Sequence, residues 1–228
     1  MGLVRMGVPE ELVTLLQKKY NIRQFIETGT FYGGTAVWAS EFFETVFTIE
    51  FSSELYEKIS TKYQDIKNIQ FLFGDSRVQL NRLINKLDKR AIFWLDAHWS
   101  GGETYGEEDQ CPLIEEINII NCSSIDHFIL IDDARLFTSP PQPPHHLENW
   151  PSISQVIDTL RSKFSDKYIV IIEDVIIAVP SEAKLTLAKY CQQVNAKAWE
   201  DYGKNLRESK LEKGIKLILS ELKSLISR

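Results

Sequence analysis

The chain has 228 residues, 43% of them hydrophobic and 25% charged, with 11 glycines and 8 prolines. That is enough for one large domain with a full core, and too little glycine and proline for a disordered or fibrous chain. No apolar run approaches the roughly 18 residues of a membrane-spanning helix, and a formal net charge of −6 offers no basic field to a phosphate backbone, so small-molecule chemistry is expected rather than nucleic-acid binding.

The start, Met1-Gly2-Leu3-Val4-Arg5, runs into a polar helix-like stretch without an apolar secretory core, so a cytoplasmic location is expected. Cys111, Cys122 and Cys191 form no close-spaced pair and read as reduced thiols filling space. Leu12, Val13, Leu15 and Leu16 fall at helical spacing, which predicts an N-terminal helix over residues 9–20 with Pro9 in its first turn. From Gln24 the pattern changes to short runs rich in Phe, Ile and Val, separated by helix-like stretches. The runs are Gln24–Glu27, Val46–Glu50, Ile69–Phe73, Ile92–Asp96 and Phe128–Asp132.

A helical stretch, Ser152 to Phe164, leads to two further runs, Tyr168–Ile172 and Val175–Val179. Only Glu173-Asp174 joins them, which permits an antiparallel hairpin and no crossover. Strands alternating with helices predict an α/β, doubly wound, mostly parallel sheet covered on both faces and ending in that hairpin. Leu211, Ile215, Ile218, Leu222 and Leu225 predict an amphipathic basic helix over about 205–227. It is expected to pack on its own domain or on a second subunit, the latter giving a homodimer. Residues 1–228 read as a single domain.

In an open parallel sheet, ligands bind beyond the carboxyl ends of the strands, where strand order reverses. The first strand runs into Glu27-Thr28-Gly29-Thr30-Phe31-Tyr32-Gly33-Gly34-Thr35 and a helix predicted over Ala36–Phe42. Glycines there let the backbone approach a ligand, but the spacing departs from the nicotinamide fingerprint, and the acid at Glu27 suits an ammonium better than a phosphate. Glu50 follows Gly29 by about 20 residues, where nucleotide-binding sheets place an acid for ribose hydroxyls. The third strand ends in Gly74-Asp75-Ser76, placed for an adenine edge or for an ordinary helix cap.

In order and spacing these strand ends resemble the class I S-adenosylmethionine-dependent methyltransferases, over roughly Phe25 to Val179. The resemblance implies a Rossmann-like seven-stranded sheet whose seventh strand runs antiparallel. It implies S-adenosylmethionine bound by Glu27, Gly29, Thr30, Tyr32, Gly33, Gly34, Thr35, Glu50, Phe51, Gly74, Asp75, Ser76 and Asp96. The fourth strand ends in Leu95-Asp96-Ala97-His98-Trp99 and the fifth in Ile131-Asp132-Asp133. Converging carboxylates are unfavourable unless protonated or bound to a cation, and an all-oxygen set suits a hard ion such as magnesium, calcium or manganese. This arrangement looks like the catechol-type O-methyltransferases and, through its Asp-Asp pair, more like the macrocin-type sugar O-methyltransferases. Ala97, between Asp96 and His98, is a departure.

The expected function is therefore methyl transfer to a hydroxyl of a sugar, glycan or other polyhydroxylated small molecule. Asp96 and His98 are the candidate catalytic residues, and Asp96, Asp132 and Asp133 are the candidate ligands of a divalent metal. The alternatives are a metal-independent methyltransferase with His98 as base, and a nucleotide-binding module without catalysis. The acidic loop 100–110 and the Pro-rich loop 139–146 are candidate walls of the substrate site, with a solvated turn and a stiff connector as their plain readings.

Overall fold

The computed structural model describes residues 7–98, 109–139, 141–207, 212 and 214–219. In chain order the elements are α1 (Glu10–Tyr20), β1 (Gln24–Thr28), α2 (Gly34–Ser40), β2 (Thr45–Glu50), α3 (Ser53–Lys62), β3 (Ile69–Phe73), α4 (Ser76–Ile84) and β4 (Ala91–Leu95). They continue with α5 (Leu113–Asn121), β5 (Phe128–Ile131), α6 (Arg135–Thr138), α7 (Ile153–Arg161), β6 (Tyr168–Ile172), β7 (Val175–Val179) and α8 (Lys184–Arg207). The chain parts into two compact units, residues 1–186 and 187–228. The second unit holds most of α8 and a helical stretch at 214–219. Much of the helix expected over 205–227 lies outside the described residues. No described helix is long and apolar enough to cross a membrane.

The first unit holds a seven-stranded sheet in the order β3-β2-β1-β4-β5-β7-β6. The first five strands in sequence pair in parallel, and β7 runs antiparallel to both β5 and β6. Strand order reverses between β1 and β4, the switch point of a doubly wound sheet. The central strands β4, β5 and β7 are buried along their whole length, which explains their unbroken apolar runs. Successive side chains alternate between faces: Ile26, Phe93, Ile129 and Ile176 join Leu80, Ile117 and Val156 from α4, α5 and α7 in one core. Phe25 packs instead on Trp38 and Phe43, and Phe128 on Tyr20 of α1, under the opposite face.

Helix boundaries differ modestly from expectation. α2 begins at Gly34, because Gly33, at φ +77°, turns the chain into the helix in a left-handed conformation. The β6–β7 turn is the expected two-residue hairpin. Both Glu173 and Asp174 adopt positive φ, 51° and 67°, as the twist of a tight hairpin demands.

Register carries the strand ends to a common edge. Thr28 lies beside Leu95, and Leu95 beside Ile131. The ladder continues past the strands, with Asp96 N–H donating to Thr28 O at 3.1 Å and Asp132 N–H to Leu95 O at 3.1 Å. At the switch point the two backbones touch: Gly29 has φ +87°, and a Cβ placed there would lie 2.2 Å from the carbonyl oxygen of Asp96. Gly34 has open space around it. We expect Gly29→Ala to lower the unfolding free energy by about 3 kcal/mol or more and Gly34→Ala to change it by under about 1 kcal/mol, measured by urea denaturation. Equal effects would mean that the β1 and β4 loops are not in contact.

Candidate active site

Glu27, the last acid of β1, is 2% exposed. Thr48 of β2 donates its hydroxyl to Glu27 Oε2 at 2.6 Å, and the Thr30 hydroxyl lies 2.6 Å from that of Thr48. Because Thr48 gives its proton to the carboxylate, Thr30 supplies the proton between the two hydroxyls. Burial pushes the Glu27 carboxyl up to about 8; Thr48 and Thr35 oppose the shift, and Asp96 and Glu50 add to it. This carboxyl therefore retains a proton at neutral pH until a cation arrives.

Glu50 ends β2 and is also buried. Its Oε2 accepts the N–H of Phe31 and its Oε1 the N–H of Ser52, each at 2.9 Å. These bonds fix the glycine-bearing loop, in which Phe31 has φ +48°. Each carboxylate oxygen keeps a second lone pair for a ligand hydroxyl. Around these acids Phe31, Tyr32, Phe51 and Phe73 remain exposed, an unusual density of open aromatic faces that suits a flat base. Gly33 is buried, Gly34 exposed and Thr35 half-buried.

Beyond β3, Gly74 donates its N–H to Glu50 O at 2.8 Å, continuing the same edge. Asp75 serves as the N-cap of α4, accepting from Arg77 N–H at 2.8 Å. The Arg77 guanidinium binds both its oxygens and reaches Asp109 as well. The cap-like reading thus describes Asp75, with its carboxylate already engaged. Ser76 is buried and hydrogen-bonds Glu116.

At the ends of β4 and β5 the structure brings Asp96, His98, Asp132 and Asp133 together. His98 Nε2 lies 2.8 Å from Asp133 Oδ2, while its Nδ1 lies 3.7 Å from Asp96 Oδ1. A carboxylate can only accept, so Nε2–H donates to Asp133, and when the ring is neutral its lone pair lies on Nδ1, facing Asp96. The ring packs edge-on against Trp150, 5.6 Å between centroids. Burial opposes the imidazolium, but the Asp133 hydrogen bond and the charge of Asp96 prevail and raise the His98 pKa. Burial, with Asp132 and Asp133 nearby, pushes Asp96 up to about 7, and burial pushes Asp132 up to about 6.

Two of the three aspartates expected to hold a metal are engaged by groups of the protein itself. Asp133 Oδ1 accepts from Arg135 Nη1 at 2.5 Å while Oδ2 is held by His98, and Asp132 Oδ1 accepts the N–H of Asp133 at 2.8 Å. Arg135 also pairs with Asp174. Among the described residues, no group of three or more His, Cys, Asp or Glu has a metal-holding arrangement. The carboxylates converge as anticipated, and an arginine side chain pairs with one of them, Asp133.

Three participants were not anticipated: Arg135, Asp174 and Glu116. Glu116 on α5 is 1% exposed, and its Oε1 makes no hydrogen bond to any described group. Burial pushes it up to about 7, against bonds to Ser76 and Thr28. With His98, Leu95 and Ile131 it lines a cavity of about 10 Å³, roughly one water in size. Its only sequence signal is an acid on the buried stripe of an otherwise apolar helix. The acidic loop falls mostly outside the described residues. Of the Pro-rich connection, His146 N–H and the Trp150 indole both donate to Gln110 Oε1, at 2.9 and 3.1 Å, pinning this segment beside the His98 ring.

No protein-family model matches the chain, and no curated protein matches it in sequence. Solved structures share its fold. The O-methyltransferase TomG from Streptomyces achromogenes, involved in tomaymycin synthesis and solved with SAM, superposes with a TM-score of 0.52 at 13% identity, over 77% of this chain and 81% of that one. A protein assigned as a caffeoyl-CoA O-methyltransferase from Staphylococcus aureus gives 0.54 at 13% identity, over 77% and 85%. The SAH-bound methyltransferase PaMTH1 from Podospora anserina gives 0.50 at 15%, over 76% and 79%. The chain therefore has the Rossmann-like fold of the S-adenosylmethionine-dependent methyltransferases, as its strand order and closing hairpin require.

Glu27 supplies a test through pH. Its pKa is near 4.5 when exposed and about 8 when folded, so the native state holds one more proton than the unfolded chain between these values. The contribution is fully present below about 4.5 and is lost as pH rises through about 8. Glu27→Gln removes this loss. Its stability relative to the native sequence should rise across that window by a few kcal/mol, on the order set by 1.36 kcal/mol per pKa unit. Thermal melts from pH 4.5 to 8.5 that stay parallel for the two proteins would place Glu27 in solvent.

Proposed function

We propose that the chain is an S-adenosylmethionine-dependent O-methyltransferase acting on a hydroxyl of a sugar or other polyhydroxylated small molecule, with His98 as the base. The observation that carries this reading is the meeting, at one sheet edge, of the buried acids Glu27 and Glu50 with an oriented histidine beside Asp96. When bound, S-adenosylmethionine supplies an electrophilic methyl group on a sulfonium.

This chain's residues account for the rest. Glu50 offers its remaining lone pairs to ribose hydroxyls, and the exposed aromatics of the β1–β3 edge offer faces to the base. Glu27 and Asp96, both with pKa values raised by burial, favour a cationic ligand over an anionic one, because an incoming positive charge ionises them. This disfavours a dinucleotide pyrophosphate. The acceptor hydroxyl fits between His98 Nδ1 and Asp96, where Nδ1 takes its proton as the oxygen takes the methyl. Asp133 holds the ring in the required tautomer. Most of the acceleration comes from alignment of the two reactants in a closed site. The reading uses no metal, because Asp133 is committed to His98 and Arg135. The surplus of acceptor oxygens at Asp96 and Asp132 favours a substrate with several hydroxyls.

Calorimetric titration with S-adenosylhomocysteine and with a nicotinamide dinucleotide tests the cofactor. Binding of the first is expected, and heat from the second alone defeats the proposal. Glu50→Ala should weaken S-adenosylhomocysteine by about 1–3 kcal/mol. In a radiolabelled methyl-transfer screen over sugars and catechols, His98→Gln should reduce transfer by about 10²- to 10⁴-fold while cofactor affinity stays within a few-fold. Cofactor binding with no transfer to any acceptor would favour a nucleotide-binding module.

A further inference from the structure

Where a divalent ion was expected, the fold supplies a guanidinium. We propose that Arg135, clamped by Asp174 of the β6–β7 turn, is a built-in cation that takes the electrostatic place of a metal and positions His98 through Asp133. The proposal rests on the methyltransferase reading for its purpose, but its geometry stands independently.

Arg135 begins α6, one residue beyond the Asp132-Asp133 pair. Its backbone N–H donates to Asp174 Oδ1 at 2.8 Å, and its Nη1 bridges Asp174 Oδ2 and Asp133 Oδ1. The preceding residue is tied down too, with Ala134 N–H donating to Asp174 O at 2.8 Å. Asp133 then presents its other oxygen to His98 Nε2. The Asp174 side chain is only 5% exposed and that of Asp133 14%, so the guanidinium between them offsets the water that both carboxylates have lost. A guanidinium cannot lose its proton at physiological pH, and its Nη1, held in a rigid plane, meets both carboxylates at once.

Topology explains why Asp174 arrives there. Because β7 is antiparallel to β5, with Ile176 beside Ile131, the turn that opens β7 lands next to the end of β5. Asp133 itself has φ +55°, a left-handed conformation that an aspartate tolerates. This turns it toward both His98 and Arg135. The ordered path Asp174, Arg135, Asp133, His98 joins the hairpin tip to the proposed base. Arg135 and Asp174 are positioning residues, because neither needs to touch the substrate.

The test uses Mn²⁺ as probe, followed by its electron paramagnetic resonance, together with ¹⁵N spectra of the histidine side chains. The unaltered protein should hold no Mn²⁺ on the aspartate cluster. Arg135→Gln frees the carboxylates and should tighten Mn²⁺ binding by about tenfold or more, a gain removed by adding Asp133→Asn. Arg135→Lys retains the charge and should gain no Mn²⁺, yet it should shift the His98 ring nitrogens because the planar Nη1 bridge between Asp174 and Asp133 is lost. Asp174→Asn should likewise move the His98 resonances while those of His127, hydrogen-bonded in the core to Ala91 and Ser123, stay in place. Tight Mn²⁺ binding by the unaltered protein that disappears in Asp132→Asn with Asp133→Asn overturns the proposal. So does unchanged Mn²⁺ affinity in Arg135→Gln, or an unmoved His98 signal in folded Asp174→Asn. S-adenosylhomocysteine titrated into the same samples separates the two readings: its failure to bind removes the methyltransferase and leaves the arginine result standing.

Discussion

Carboxyl groups gathered at one end of a sheet repel one another, and much of the local structure around this site relieves that repulsion. Each acid finds a different solution. Glu27 and Glu116 are enclosed so thoroughly that they favour the protonated form. Glu50 is satisfied by two backbone N–H groups. Asp75 is matched by Arg77, and Asp133 by His98 and Arg135. Asp96, which has His98 as its counter-charge among the described residues, is left with a carboxyl raised to about 7. The acids lacking a fixed cation are the ones with most to gain from a positively charged ligand, and Glu27 and Asp96 meet where the β1 and β4 loops touch.

That convergence follows from register. Parallel pairing through Thr28, Leu95 and Ile131 stops the central strands at one level, so whatever residue follows each strand reaches the same edge. Gly29 then lets the first loop lie directly on the Asp96 carbonyl. A side chain there would force the loops apart and widen the space between Glu27 and Asp96. The site is therefore held by backbone contacts that a substitution in either loop would disturb.

The strands, the hairpin and the strand-end acids were legible in the sequence because each depends on local pattern: apolar runs, a two-residue connection, an acid at the end of a run. The β6 and β7 limits agree with the expectation residue for residue, while β4 starts one residue earlier and ends one earlier than anticipated, placing Asp96 in the loop. What local pattern cannot carry is a partner far along the chain. Asp174 meets Arg135 across 39 positions, and it read only as a turn residue. Arg135 was hidden by its neighbours: beside an Asp-Asp pair, a metal is the simplest cation to infer, and only the antiparallel return of β7 reveals the protein's own. Glu116 was hidden by the helical period, which predicts burial of that stripe without saying that one member is acidic.

The hairpin turn supports the same conclusion from backbone energetics. Two-residue turns of this hand favour asparagine and glycine, because both positions need positive φ. Here the positions are Glu173 and Asp174; an aspartate tolerates the left-handed region, whereas a glutamate held there costs roughly 1–3 kcal/mol. A turn chosen only for pairing β6 with β7 would not retain that strain. Asp174 offsets it through three groups outside the hairpin, the Ala134 and Arg135 N–H groups and the Arg135 guanidinium. Glycine at this position would relax the turn but give up the two side-chain contacts. The second turn residue is thus the one whose side chain reaches the β5 loop, and it holds the residues behind His98.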